Sequence, residues 1–222
     1  MRLDESLDYV PIFHALSEAE RKHVIKLAIK VEIPPETTLF QEGEYWKTVM
    51  LIAEGSMRSY LNAPNGRNYV VHTWKKGELF WPHSIFDDMP MPSTMVTTGK
   101  TTVYQWNGEE LYEFMLRSTA AVKALMQMMA KQIRKRRQSI YELAFSPVGH
   151  RLAGLIRGMF HGVDVNTVQR ELTLDEMAEM VATSPEVVCR LLYHFQSKGI
   201  ISVNRATITL NDPIALEEVL SE

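Results

Sequence analysis

Between Glu171 and Ile201 the sequence reads ELTLDEMAEMVATSPEVVCRLLYHFQSKGII, and its punctuation leaves few options for the backbone. Thr173 followed three residues later by Glu176 is a capping-box start for a helix. Leu174, Met177, Ala178 and Val181 then form an apolar stripe at helical spacing. Ala182-Thr183 breaks it. Ser184 is placed to N-cap a second helix, with Pro185 at the first helical position, where its missing N–H costs nothing. Val188, Leu191, Leu192 and Phe195 share one face of that helix, which leaves Glu186, Cys189, Arg190 and Tyr193 on the other. Gly199 stops the helix, Ile200-Ile201 begins a strand, and TITL after Asn204-Arg205 returns as another. Two helices, a tight turn and a hairpin behind them make a winged helix-turn-helix.

The outward face suits a major groove. Arginine can bind guanine bidentately, and glutamate can accept from the cytosine amino group. Glu186 and Arg190 lie four residues apart and project together. On a solvated helix the same spacing is a surface ion pair. Ser184, Glu186, Arg190, Tyr193, His194, Lys198 and Arg205 form the candidate DNA-binding set. Cys189 is either a small residue on that surface or a thiol that Arg190 and the helix start could activate for a redox switch. From Phe145 onward there are six Arg/Lys against ten Asp/Glu, and the whole chain carries a formal net charge of -3. Phosphate contacts must then come from a few placed cations and from helix N-termini. Modest affinity per domain makes a dimer reading two half-sites the natural remedy.

The N-terminal half has a different rhythm. Ser17 with Glu20 is a second capping box, ahead of Val24, Leu27, Ala28 and Val31, and Pro34-Pro35 is expected to end that helix. From Thr37 to Trp106 short β-type runs take over: TTLF, TVMLIA, SMRSYL, NYVVHTW and TVYQW. Gly43, Gly55, Gly66 and Gly77 punctuate them at separations of twelve, eleven and eleven. Such regular turns predict a small antiparallel barrel or jelly roll, with an Asn-Gly hairpin turn in APNGR at 63–67.

Between the halves, Val122, Leu125, Met129, Ile133, Ile140 and Leu143 step at heptad spacing. A dimer helix over 118–145 accounts for that seam better than a nucleic-acid patch built on KQIRKRR at 131–137. Arg136 fills the gap on the seam and could face the effector pocket across the dimer, where it would partner an anionic effector. The expected organisation is α+β: a jelly-roll-like antiparallel β-roll sensor with flanking helices over 1–117, the dimerisation helix over 118–145, and the winged helix-turn-helix over 146–222. The lone cysteine, Cys189, excludes a disulfide framework. No run approaches the roughly 18 apolar residues of a membrane helix, and Met1–Ser6 offers no apolar leader core. A cytoplasmic protein without membrane partners is the expectation. No nucleophile–base set, phosphate loop or metal signature points to an enzyme.

LFQEGE (39–44), IAEGSMRSY (52–60), NGR (65–67), KKGELF (76–80) and the motif at 171–201, in this order, resemble the Crp-Fnr family of bacterial transcription factors. The resemblance covers nearly the whole chain. It implies a homodimer that binds double-stranded DNA at a pseudo-palindromic site and contacts RNA polymerase. An effector in the β-roll would shift the DNA-binding domains. It also implies an Arg, a Glu and a second Arg on the recognition helix. The last two map to Glu186 and Arg190, whereas Pro185 stands at the first. Cyclic-nucleotide-binding members carry Phe-Gly-Glu and later Arg-Ser/Thr-Ala. Here Trp81 replaces the glycine, Pro82 the glutamate and Pro92 the arginine, so cyclic AMP is not the expected effector. Iron–sulfur members need a cysteine set that this chain lacks.

Trp81, His83, Ser93, Met95 and Arg136 are the candidate effector-pocket residues. Met89, Met91 and Met95 with Trp81 either line an apolar pocket or fill the roll. The cofactor is unknown. Haem at His72 or His83 defines one alternative, a gas sensor of the same fold. Another is a dimeric small-molecule-binding protein whose winged helix serves protein contacts.

Overall fold

The computed structural model describes Leu3, Leu7 and residues 10–221. Met1–Ser6, the stretch without a leader core, lies outside the described residues apart from Leu3. The chain divides into two compact units, one of residues 1–62 and 71–136, the other of 63–70 and 137–222. The mixed α+β class is as expected.

In the first unit, helices α1 (Pro11–His14) and α2 (Glu18–Leu27) precede strands β1 (Ile29–Ile33), β2 (Thr38–Phe40), β3 (Thr48–Glu54), β4 (Ser56–Asn62), β5 (Asn68–Lys75) and β6 (Leu79–Phe80). A short helix α3 (Ser84–Asp87), strands β7 (Thr94–Thr97) and β8 (Thr101–Asn107), helix α4 (Gly108–Met115) and the long helix α5 (Thr119–Phe145) follow. The first three residues of β5 and the part of α5 from residue 137 onward belong to the second unit. Ser17 and Glu20 cap α2 reciprocally, as the capping box requires. That helix stops at Leu27, not at the prolines. Ile29–Ile33 instead runs antiparallel to β8, with Val31 opposite Val103. IKVEI alternates β-branched and polar residues, and the ladder it gains on β8 outweighs the helical spacing of Val31. Strands β6 and β7 were not foreseen either.

Two four-stranded sheets, ordered β1-β8-β3-β6 and β2-β7-β4-β5, enclose the roll. Its interior draws a side chain from every strand: Ile33, Phe40, Met50 and Ile52, Met57, Trp74, Phe80, Met95 and Val103. The first sheet is buried on its other face as well. There Val49, Leu51, Leu79 and Trp106 meet Phe13, Val24, Leu111 and Leu125 of the flanking helices. Alternation along β3 sends Val49, Leu51 and Ala53 to the helices and Met50 and Ile52 inward, so the strand reads as one apolar run. The four punctuating glycines all have positive φ. At Gly55, with φ +81, a Cβ would also stand 2.6 Å from the Lys100 carbonyl oxygen, so only glycine fits that turn.

In the second unit, α6 (Val148–Met159), β9 (Thr167–Gln169), α7 (Leu174–Met180), α8 (Pro185–Ser197), β10 (Ile201–Val203), β11 (Thr207–Leu210) and α9 (Pro213–Val219) share one core. Leu152 and Ile156 of α6, Met177 of α7, and Val188, Leu192 and Phe195 of α8 fill it with Ile201 and Ile208 from the hairpin. The strands order as β10-β11-β9, so β9 adds an unforeseen third strand to the wing sheet. Among the described residues no helix is long and apolar enough to cross a membrane.

Candidate nucleic-acid interface

Helices α7 and α8 are held by their ends. The Thr173 N–H donates to Glu176 Oε2 at 2.8 Å, and the Glu176 N–H donates to Thr173 Oγ1 at 3.2 Å. At the other end, Ala182 adopts a left-handed φ of 52°, and the Thr183 N–H reaches back to the Ala178 carbonyl at 2.9 Å. That closure satisfies a terminal carbonyl but costs about 1–2 kcal/mol for a residue with a Cβ. Arg151 of α6 secures the turn. Its Nε donates to the Val181 carbonyl at 3.0 Å, and one terminal nitrogen donates to the Ser146 carbonyl at 2.6 Å.

Ser184 stands at the N-cap of α8 with extended backbone, yet its hydroxyl accepts no capping bond. The Ser184 hydroxyl and the Glu186 backbone N–H hold the Glu186 carboxyl below its ordinary pKa, against a smaller opposing effect of burial. The shift favours the carboxylate form, which accepts hydrogen bonds. Among the described residues no salt bridge joins it to Arg190.

Val188, Leu192 and Phe195 are buried, while Glu186, Arg190, Tyr193, His194, Lys198 and Arg205 are exposed. Leu191, expected on the buried face, is only half-buried. Leu174, Pro185, Glu186, Cys189, Arg190 and Tyr193 bound a groove of about 580 Å³. A second cleft of about 230 Å³ runs between α8 and the wing, where Arg205 and Asn204 face Cys189, Tyr193 and Gln196. His194 lies on the flank and lines neither, and Lys198 sits at the C-cap of α8.

Arg170 is the cation that sequence reading passed over. It directly follows β9, its Nε donates to the Leu172 carbonyl at 3.2 Å, and it lines the cleft beside the wing. Only recognition of β9 as a strand next to the Thr173 cap could have placed it there.

Of the proposed effector residues, His83 and Arg136 come within electrostatic reach of one another, while Trp81 and Met95 are packed into separate clusters. Alternation through β6 turns Phe80 into the roll and Trp81 out of it, into the cluster with the helices, where its ring lies 5.6 Å from Phe86. Met95 is fully buried inside the roll, and Ser93 is half-buried. Of the two readings of the methionines, Met91 and Met95 follow the second and fill the roll, and Met89 is surface. The Ser59 hydroxyl donates to Met95 Sδ at 3.6 Å and accepts from Trp74 Nε1 at 2.9 Å, knitting that interior. Arg136 donates to the Val71 carbonyl on β5 at 2.5 Å. His83 is exposed at the start of α3. Partial burial and the Arg136 charge lower its pKa, and Asp87 opposes them. His72 packs edge-on to Trp74, with Nε2 3.5 Å from Glu78. No group of three or more His, Cys, Asp or Glu suited to a metal occurs among the described residues.

The expected helix seam divides between two faces. Leu125 is 6% exposed and belongs to the core of its own unit, and Met129 packs against that core. Val122 is half-buried. Ile133 and Ile140 are 70% and 66% exposed, and Met126, at 67%, continues their seven-residue step in place of Leu125.

Residues 30–118 match the cyclic nucleotide-binding domain model, and residues 150–219 match the Crp-like helix-turn-helix domain model. The CRP-like cAMP-activated global transcriptional regulator of Mycobacterium tuberculosis is 23% identical over 215 residues, 95% of this chain and 96% of that one. A crp/fnr-family chain from Eubacterium rectale shares the fold with a TM-score of 0.80 at 18% identity, over 97% of this chain and all of the other. The c-di-GMP responsive regulator CLP of Xanthomonas campestris gives 0.76 at 17%, over 88% of this chain and all of the other. With both domain types present in this order, the chain is a DNA-binding transcription regulator of the Crp-Fnr family.

Proposed function

We propose that the regulator acts as a homodimer on a pseudo-palindromic site, with Glu186 and Arg190 reading bases and Lys198 and Arg205 holding phosphates. The observation that carries this is the stripe of Met126, Ile133 and Ile140. Three large apolar side chains recur every seven residues and stand at least 66% exposed on a helix that already uses its other face. A seam of that spacing fits a second copy of the same helix. Two copies would double the cations brought to the DNA and join two half-sites through symmetry.

The control signal in this proposal is an effector other than cyclic AMP. Pro82 and Pro92 supply neither a cation nor a backbone N–H to a phosphate, and aromatic and methionine side chains pack the roll. Selection of genomic fragments on the purified protein, with sedimentation of the complex, tests the reading. Two protomers on a two-fold symmetric consensus support it. One protomer on an asymmetric site overturns it.

A further inference from the structure

The groove on the reading face has an apolar floor. Leu174 of α7 and Pro185, Cys189 and Tyr193 of α8 line it together with Glu186 and Arg190, and its exposed lining is mostly apolar. Glu186 and Arg190 can satisfy guanine and cytosine edges by hydrogen bonding. The floor can offer a base pair only contact. In the major groove one standard base presents a group that asks for contact without a hydrogen bond, and that is thymine, with its C5 methyl.

The geometry points to a thymine-methyl subsite formed by Leu174, Pro185 and Cys189, next to the base pair that Arg190 contacts. Several features support this occupant. Cys189 is half-buried and follows Glu186 by three residues, so it sits beside the reading pair and within the same turn of helix. One turn rises 5.4 Å and DNA base pairs stack at 3.4 Å, so side chains a turn apart address neighbouring pairs. Pro185 has no side-chain donor with which to read a base edge, but its ring offers apolar surface at the start of the helix. Leu174 closes the floor from α7, which makes the subsite a product of the helix-turn-helix packing and not of α8 alone. The thiol of Cys189 then acts as a small apolar surface, and its place in the chain is explained without redox chemistry.

This inference rests on the assignment of α8 as the base-reading element, and the test separates the two. The full-length protein is titrated with its selected site and with duplexes in which each half-site thymine is replaced in turn by deoxyuridine, which removes only the methyl group. One thymine per half-site should weaken binding about fourfold when its methyl is lost, the size expected for a buried methyl-sized group. That penalty should shrink towards unity in Cys189→Gly and in Leu174→Ala. Because the DNA is altered, a folding defect cannot imitate the first result. Equal binding of every deoxyuridine duplex overturns the subsite while leaving base reading by Arg190 intact. A penalty that persists undiminished in both variants assigns the methyl to other residues and also overturns it. Binding without any sequence preference removes the base-reading assignment itself.

Discussion

Replacing Arg151 by alanine tests how the DNA-binding unit is held together. Its guanidinium spans the Val181 carbonyl at the C-cap of α7 and the Ser146 carbonyl just past α5, at 3.0 and 2.6 Å. A third approach, to the Glu142 carbonyl at 3.4 Å, adds little, because that oxygen already accepts from the Ser146 N–H. Charge-assisted bonds of this type contribute about 1.5–3 kcal/mol each when buried, and partial exposure reduces them to about 1–1.5. Arg151→Ala should therefore destabilise the second unit by about 2–3 kcal/mol, a fall in melting temperature on the order of 10–20 °C for a unit of this size. Arg151→Lys should recover little, since one ammonium cannot span two carbonyls. Arg157→Ala is the contrast. Its 3.1 Å pair with Glu217 joins side chains 57% and 56% exposed, and should contribute about 0–1 kcal/mol. The four tryptophans, at 46, 74, 81 and 106, all lie in the first unit. Tryptophan fluorescence thus follows that unit, and amide exchange across 151–208 follows the other. Loss of protection in the second unit with the tryptophan transition unmoved is the expected result. A change no larger than that of Arg157→Ala would show that the bridging bonds are incidental.

Cyclic AMP at millimolar concentration should leave both the melting temperature and DNA binding unchanged, and a rise of several degrees would refute the pocket argument from Pro82 and Pro92. Ile133→Glu with Ile140→Glu should give monomers in sedimentation. Burying the exposed part of four isoleucines per dimer is worth about 4–8 kcal/mol, so dissociation should strengthen at least about a thousandfold. Ser184→Ala should raise the pKa of Glu186 towards the ordinary carboxylate value. Acceptance from cytosine requires the anion, so the base preference set by Glu186 should fade at a higher pH than in the parent as pH falls. Carboxyl NMR titration and pH-dependent site selection both read that shift.

The DNA-binding unit was the most legible part of the sequence because its signals are local. A capping box, a proline at N1 and a glycine stop each act over a few residues, and all three stand as expected around α7 and α8. Ser184 departs from expectation: it holds the N-cap backbone geometry, but its hydroxyl accepts no capping bond. Elsewhere the deciding information was non-local. Val31 fits a helical stripe, and only the partner strand β8 makes it a strand residue. The two-residue strand β6 sets the side to which Trp81 points, and no periodicity can be read from two residues. Along α5 two apolar faces coexist. Leu125 and Met126 are adjacent and both apolar, so spacing alone could not tell which one faces the roll and which faces outward. Arg170 was hidden because β9 is only three residues long.

The central claim is that α8 reads sequence through Arg190, and binding to a randomised half-site library at two salt concentrations tests it most directly. Arg190→Ala should weaken binding to the preferred half-site by about 1–3 kcal/mol and relax preference at one base pair, as expected for the loss of a bidentate guanine contact. Lys198→Ala should weaken all members of the library about equally and lower the salt slope by roughly one, because a phosphate contact carries no base information. An Arg190→Ala protein that loses affinity evenly across the library, with a lowered salt slope, would make Arg190 a phosphate clamp and contradict the base-reading role of α8.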